Sequence, residues 1–449
     1  MHQYGPRLGE LVDRTRPELR QTFEDSTIAV APPRGHKTAA VAIPRVLDAP
    51  GPIVATSTKA DLLLNTCTPR ALVGAVWVLD AEGIADPMAP SWRTLQWDLV
   101  RGCEDAEVAI RRASALVAAK PLGAVRNSDF FSGKAAGVLR CWLMAAAVGH
   151  RSVRDIPRWL HNLSDPTPAN ILDAVNLDWA QRLRALPRNT AGEMVGGIVG
   201  TLELLLSPLD SPRIAAACEP REGHGFEIGE FLASSDSVYL LTEGQEHGAA
   251  PFVTALVDEI MHHARRLSQR SVGQRLDPPL TVVLDEPANT AALPAMPQYM
   301  SDSGGRGIAL CLLPQGWAQM RRRWGDDGAK EIWNSATAAM VMGGGKESDF
   351  LEDISRLVGD HRRSETSTTS GGGVFGGLRM SRQRSERWDR TLKLNDLREI
   401  TDGHALLLYQ RLPPAIIELP TWWKGSQAKQ LQAGADAIQA SRVGAGVIT

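Results

Sequence analysis

Residues 24–47 read EDSTIAVAPPRGHKTAAVAIPRVL, and no other stretch limits the possible fold as much. Residues 26–31 are a short β-prone apolar run, 32–36 break it, and from Lys37 the apolar spacing is helical until Pro44 interrupts. Strand, loop and helix in that order build a parallel sheet covered by helices. The pattern repeats, since residues 52–56 (PIVAT) and 75–79 (AVWVL) read as buried strands on either side of a helix-compatible segment, 59–66.

From residue 104 to about 217 the character changes. AEVAIRRASALVAA, AAGVLRCWLMAAAVG, SVRDIPRWLHNL, PANILDAVNLDWAQRL and GEMVGGIVGTLELLL are helical in period. Strand patterns return at 237–241, 280–284, 308–313, 338–342 and 405–409, with a long helix-compatible segment at 250–267 suited to a right-handed crossover. The expected fold class is therefore α/β, with a mainly parallel sheet split by an inserted all-α domain. The expected boundaries are 1–102 and 224–423 for the two parts of the α/β domain, 103–223 for the insertion and 424–449 for a patternless tail. Residues 364–390 are rich in Gly and Ser and read as a mobile loop; near its end stand Arg379, Arg382, Arg384, Arg387 and Arg390, with Trp388 among them.

Composition excludes several classes. At 449 residues, 43% hydrophobic and 22% charged, the chain is too apolar to be mostly disordered. No run approaches the roughly 18–20 apolar residues of a spanning helix, and the start, MHQYGPRLGELVDR, is not a secretory signal, so a cytoplasmic location is expected. Its five cysteines are scattered and form no CxxC, which predicts reduced thiols and no zinc site. A net charge of −2 argues against a basic coat over nucleic acid and leaves only local contact.

APPRGHKT (Ala31, Pro32, Pro33, Arg34, Gly35, His36, Lys37, Thr38) sits where a phosphate-binding loop belongs, between a first strand and the helix it opens. In GxxxxGK[ST] the backbone N–H groups and the helix N-terminus hold phosphates, the Lys reaches the β/γ oxygens and the hydroxyl ligates Mg²⁺. Lys37 and Thr38 match; Ala31 replaces the first Gly and His36 the second, with Gly35 one position early. A side chain at His36 is expected to crowd the backbone path around the β-phosphate. LTVVLDEP ends a strand in Asp285, suited to the Mg²⁺ shell, and Glu286, suited to activating water. Gln315 ends the next strand, where an amide can sense the γ-phosphate, and Arg306 precedes that strand as a candidate arginine finger. Arg321 to Arg323 read as decoration of a surface helix, and the tryptophans at 317, 324, 333, 422 and 423 as packing residues.

With these segments in place, the chain resembles the soluble part of type IV secretion coupling proteins of the TraG/TraD kind, from about residue 20 to 423 and most specifically over 280–324. The resemblance implies a RecA-like P-loop NTPase domain with an inserted all-α domain, assembled as a homo-hexamer that uses ATP and Mg²⁺ to move DNA or protein toward a channel. It assigns phosphate binding to Lys37 and Thr38, Mg²⁺ to Thr38 and Asp285, water activation to Glu286, γ-phosphate sensing to Gln315 and a place near the finger to Arg306. The implied partners are single-stranded DNA, held by pore-facing loops such as the Arg379–Arg390 segment, a relaxase-type nucleoprotein and secretion-channel proteins. Family members carry transmembrane helices ahead of the motor. Here the expectation is that the cytoplasmic face of the membrane is reached through a partner or an anchor outside this sequence. His36 leaves a second reading open: a non-hydrolysing receptor or adaptor with a degenerate phosphate loop.

Overall fold

The computed structural model describes residues 5–12, 15–119, 128–189, 192–221, 223–244, 248–371 and 379–446. Its strands are β1 (Arg7–Leu11), β2 (Glu18–Arg20), β3 (Thr27–Val30), β4 (Ile53–Ser57), β5 (Val76–Asp80), β6 (Arg93–Thr94), β7 (Ser237–Leu241), β8 (Leu280–Asp285), β9 (Ile308–Leu313), β10 (Ala338–Met342), β11 (Asp360–Gly371), β12 (Arg379–Arg390), β13 (His404–Tyr409) and β14 (Ala415–Glu418). All but β11 and β12 join one 12-stranded sheet, ordered β2-β1-β14-β13-β10-β3-β9-β8-β4-β7-β5-β6. From β10 to β6 every neighbouring pair is parallel, whereas β13, β14, β1 and β2 extend the β10 edge antiparallel. The α/β class and mainly parallel sheet are those the strand pattern predicts.

Every residue of β3, β4, β7, β8, β9 and β10 is buried, which is why these strands read as unbroken apolar runs and not as alternating ones. Successive side chains point to opposite faces. One face sets Ala29, Ala55, Val283 and Cys311 against Val41, Val46, Leu62 and Leu63 of the helices that follow β3 and β4. On the other, Ile28, Val54, Val282 and Leu312 share a core with Leu256, Val257 and Ile260 of the Ala250–Arg270 helix.

Between β6 and β7 stand the α-helices Ala106–Ala118, Ser128–Val148, Asp155–His161, Thr167–Leu172, Leu177–Asn189, Gly192–Leu206, Pro212–Ala217 and Ile228–Leu232. The described residues of 103–223 include no strand. Asp105 caps the first helix by accepting the Glu107 N–H at 2.8 Å. Leu139, Trp142 and Leu143 from the second belong to the same continuous core as the sheet face, so the helical block is packed onto the sheet.

Two expectations are corrected. The tail is not patternless: after a turn at Trp422–Lys424 comes the helix Ala428–Gly446, which packs on the Asp61–Arg70 helix, while Arg442 donates to the carbonyls of Asp86 and Pro87. Nor is 364–390 a loop throughout. β11 and β12 pair as an antiparallel hairpin from Asp360↔Arg390 to Gly371↔Arg379. Residues 372–378, and the side chains of Arg379, Arg382, Arg384, Arg387 and Trp388, lie outside what is described. At the hairpin base Arg390 forms a two-pronged pair with Glu352 at 2.5 and 2.7 Å. Among the described residues no helix is long and apolar enough to cross a membrane.

Candidate nucleotide site

Parallel strands of an open α/β sheet present their C-terminal ends to one crevice, and ligands bind there. At that edge β3 leads into the turn of residues 31–36, β8 into Glu286 and β9 into Gln315. Gly35 closes the turn by donating its N–H to the Pro32 carbonyl at 3.0 Å, and the Ala40 N–H returns to the His36 carbonyl at 2.8 Å as the helix begins. Arg34 and His36 both take left-handed backbone angles, φ 67 and φ 58. His36 therefore adopts the conformation that a glycine allows, at a cost of about 1–2 kcal/mol. Its exposed ring packs edge-on against Trp423, centroids 5.6 Å apart, so a histidine is accommodated with the turn still formed. Trp423 itself is 44% exposed, so it packs at the surface and not in the core.

Lys37 and Thr38 follow the turn and face the end of β8. The Thr38 hydroxyl donates to Asp285 Oδ2 at 2.6 Å. Lys37 Nζ lies 3.5 Å from Asp285 Oδ1 and 3.6 Å from Glu286 Oε1, with only 8% of its side chain exposed. Both Lys37 Nζ and Asp285 Oδ1 are buried without a hydrogen-bond partner. Burial pushes the Asp285 carboxyl above its ordinary range, against the opposing pull of Lys37 and Thr38.

Glu286 is turned toward the same point by backbone geometry. It has φ 55, and its N–H donates to the Leu313 carbonyl at 3.2 Å. Gln315 donates its amide to Glu286 Oε1, and Asn289 donates to Oε2 at 3.3 Å. Thr290 anchors the turn from below by donating to the Asp285 carbonyl at 2.9 Å, with the Thr56 hydroxyl 2.9 Å away. The structure thus brings together Lys37, Thr38, Asp285, Glu286 and Gln315. Beside them a cavity of about 750 Å³ opens between Pro32, Gly35, Gln315, Met342, Phe350 and Asp402.

Arg306 is elsewhere. It stands before β9, at the other end of the strand from Gln315, so about 20 Å of strand separates them. Its Nε donates to Asp302 Oδ2 at 3.2 Å, which also receives Arg265 at 2.7 Å. The expectation for Arg321 to Arg323 is half overturned: Arg321 and Arg322 are exposed, but Arg323 reaches inward to backbone carbonyls. Asn289, Thr290 and Thr56 escaped the sequence reading. Asn289, three residues beyond Glu286 and so on the same side of a helical turn, carried a usable signal.

A lysine ammonium without an acceptor, a hydroxyl beside a carboxylate, and a helix N-terminus with free N–H groups suit the phosphates and divalent cation of a nucleotide. The span holding Asp285, Glu286 and Gln315 falls within residues 279–402, which match the family model described as the TraM recognition site of TraD and TraG. Over that span the chain is similar to TraD and TraG. No curated protein matches the chain by sequence. Among solved structures it is similar to the unbound form of the bacterial conjugative coupling protein TrwBdeltaN70, with TM-score 0.65 and 14% identity, covering 92% of this chain and 89% of that one. TrwB with a non-hydrolysable ATP analogue gives 0.63 and 15% identity over 93% and 95%. VirB4 of Thermoanaerobacter pseudethanolicus gives 0.53 and 12% identity over 93% and 96%. The chain therefore has the RecA-like P-loop fold with an all-α domain that TrwB has.

Proposed function

We propose that this chain is an ATP-hydrolysing coupling protein that moves DNA, with bound protein, toward a conjugative transfer channel. The observation that carries the reading is the buried Lys37 ammonium, poised without a hydrogen-bond acceptor between Asp285 and Glu286. TrwB, which shares the fold, has been solved with ADP and Mg²⁺. When bound, Mg²⁺ neutralises charge developing on the phosphates. On our reading Thr38 and Asp285 hold it, while residues 31–38 cradle the phosphates and Lys37 exchanges the two carboxylates for phosphate oxygens.

That exchange frees Glu286. Its carboxylate then takes a proton from water as the water oxygen attacks the γ-phosphorus, and the bond from that phosphorus to the β–γ bridging oxygen breaks to release ADP. Gln315, already bonded to Glu286, is placed to register loss of the γ-phosphate. Arg306 is too far away to serve its own subunit and is assigned to the neighbouring subunit's nucleotide in a homo-hexameric ring. The motor comprises 1–102 and 224–423, with 103–223 as the inserted domain and 424–449 as a tail. Single-stranded DNA, gripped by pore-facing loops, and a relaxase-type nucleoprotein are the cargo. The chain works at the cytoplasmic face of the membrane through secretion-channel partners.

The adaptor reading rests on His36. It is weakened by the left-handed turn that His36 makes in glycine's place. Steady-state ATP hydrolysis, with and without single-stranded DNA, tests both readings in the wild type, Lys37→Ala, Glu286→Gln and His36→Gly. Equal loss in Lys37→Ala and Glu286→Gln supports the motor. No wild-type turnover above the Glu286→Gln background, restored in His36→Gly, supports the adaptor.

A further inference from the structure

Arg323 lies two turns into the helix Trp317–Ser335, which begins just after Gln315. Its Nε and Nη2 both donate to the Ala288 carbonyl, at 2.9 and 2.6 Å, and its Nη1 donates to the Ala118 carbonyl at 3.3 Å. No carboxylate pairs with it among the described residues, and burial alone lowers its pKa to about 10. A charge held this way serves geometry more than ion pairing.

The two carbonyls close helices with opposite destinations. Ala288 lies in the short helix Pro287–Thr290 that immediately follows Glu286. Ala118 ends the helix Ala106–Ala118, after which the chain continues toward the Ser128–Val148 helix of the inserted block. Terminal carbonyls lack intrahelical donors, and a cation there also complements the helix dipole. Next to Arg323, Trp324 donates its indole N–H to the Leu293 carbonyl at 2.8 Å, so one helix grips the 286–293 turn at two points. Thr290 and Thr56 fix the opposite side of that turn.

We propose that Arg323 is a positioning residue, one that holds the Glu286 turn in register with Gln315 and ties it to the root of the helical block. A shift of the block is thereby transmitted to the water-activating carboxylate. This deepens the hydrolysis reading and rests on it for the role of Glu286, but the mechanical tie can be measured separately.

The test uses the full chain with Arg323→Met and Arg323→Lys, each checked by thermal denaturation for a folded state. Amide hydrogen exchange is read over 286–293, where the N–H groups of Asn289, Thr290 and Ala291 close the turn. In Arg323→Met exchange there should quicken by about tenfold, with the amides of β13 unchanged; Arg323→Lys, able to reach one carbonyl, should recover part of the protection. Unaltered exchange over 286–293 overturns the proposal whether or not the chain hydrolyses ATP. For turnover, Arg323→Met should lower kcat by about tenfold with KM for ATP within about twofold, and should cost nothing further in a Glu286→Gln background. Unchanged kcat, or an equal additional loss in that background, refutes action through Glu286. A wild type without turnover sinks the hydrolysis reading instead, and exchange then decides the tie alone.

Discussion

Lys37 faces two carboxylates and satisfies neither with a hydrogen bond, an arrangement that leaves the ammonium available to a further acceptor. Removing it should therefore hurt binding before chemistry. Lys37→Ala is expected to lose at least about tenfold in affinity for a fluorescent ATP analogue, while Glu286→Gln keeps wild-type affinity, as titration will report. At His36, relief of the left-handed angle gains about 1–2 kcal/mol and loss of the Trp423 contact costs about 1 kcal/mol, so the two oppose one another. His36→Gly should consequently leave thermal stability within about 1 kcal/mol of wild type. Asp258 offers a pH test. Burial raises its carboxyl to about 6 from 3.8, although Tyr299 donates to it and Arg111 and Arg265 stand near; neighbouring Glu259 adds to the rise. The folded state thus holds a proton that the unfolded state gives up, so this contribution is present below pH 3.8 and is lost as pH rises through about 6, about 3 kcal/mol in all. Glu259 runs the other way: burial raises it, but Arg112 and Arg111 outweigh that and hold it below its ordinary value. Asp258→Asn should remove the decline across pH 3.8 to about 6 in denaturant-midpoint measurements while leaving the Glu259 contribution.

How an element announces itself depends on what it buries. β7, β9 and β10 run Ser237–Leu241, Ile308–Leu313 and Ala338–Met342, the limits their apolar runs suggest, because each is covered on both faces. β1 and β14 are short strands of mixed polarity beyond the parallel core, and Gly9 lets them approach so closely that a Cβ there would lie 2.4 Å from the Glu418 carbonyl. Nothing local to RLGEL or AIIE reveals that pairing. The Ala428–Gly446 helix was hidden because its apolar stripe is short and weak: Leu431, Ala435 and Ile438 turn inward, and Gly434 sits close against Thr68. Lys37, Asp285 and Glu286 were legible because chemistry fixes their residue types and spacing. Arg323 was not, since its partners are carbonyls, which every residue possesses. Gly343 supplies an element-scale prediction. A Cβ there would meet the Ile400 carbonyl at 2.0 Å, where the chain beyond β10 passes the segment leading to β13. Gly343→Ala should destabilise by about 2 kcal/mol or more, seen as a lowered midpoint in urea with an unchanged m-value.

For the molecule as a whole, the placement of Arg306 separates a ring from a monomer. It sits at one end of a chain of contacts that runs through Asp302, Arg265, Tyr299 and Asp258 to Arg111 and Glu259, joining β9 to the Ala106–Ala118 helix. If it serves a neighbouring subunit, turnover per chain should rise with protein concentration. Mixing inactive Arg306→Ala with inactive Lys37→Ala chains should then restore part of the activity, because some interfaces regain both groups; a mixture as silent as its components would refute the trans assignment. The strand order has a further consequence, this one for synthesis. β4 lies between β7 and β8, whose residues begin at 237 and 280, and β3 lies between β9 and β10, still later in the chain. On the ribosome, β3 and β4 emerge long before either of their neighbours exists. The helices up to Ala217 are complete while β3 and β4 still await both partners, so the nascent chain carries exposed strand edges through most of its translation.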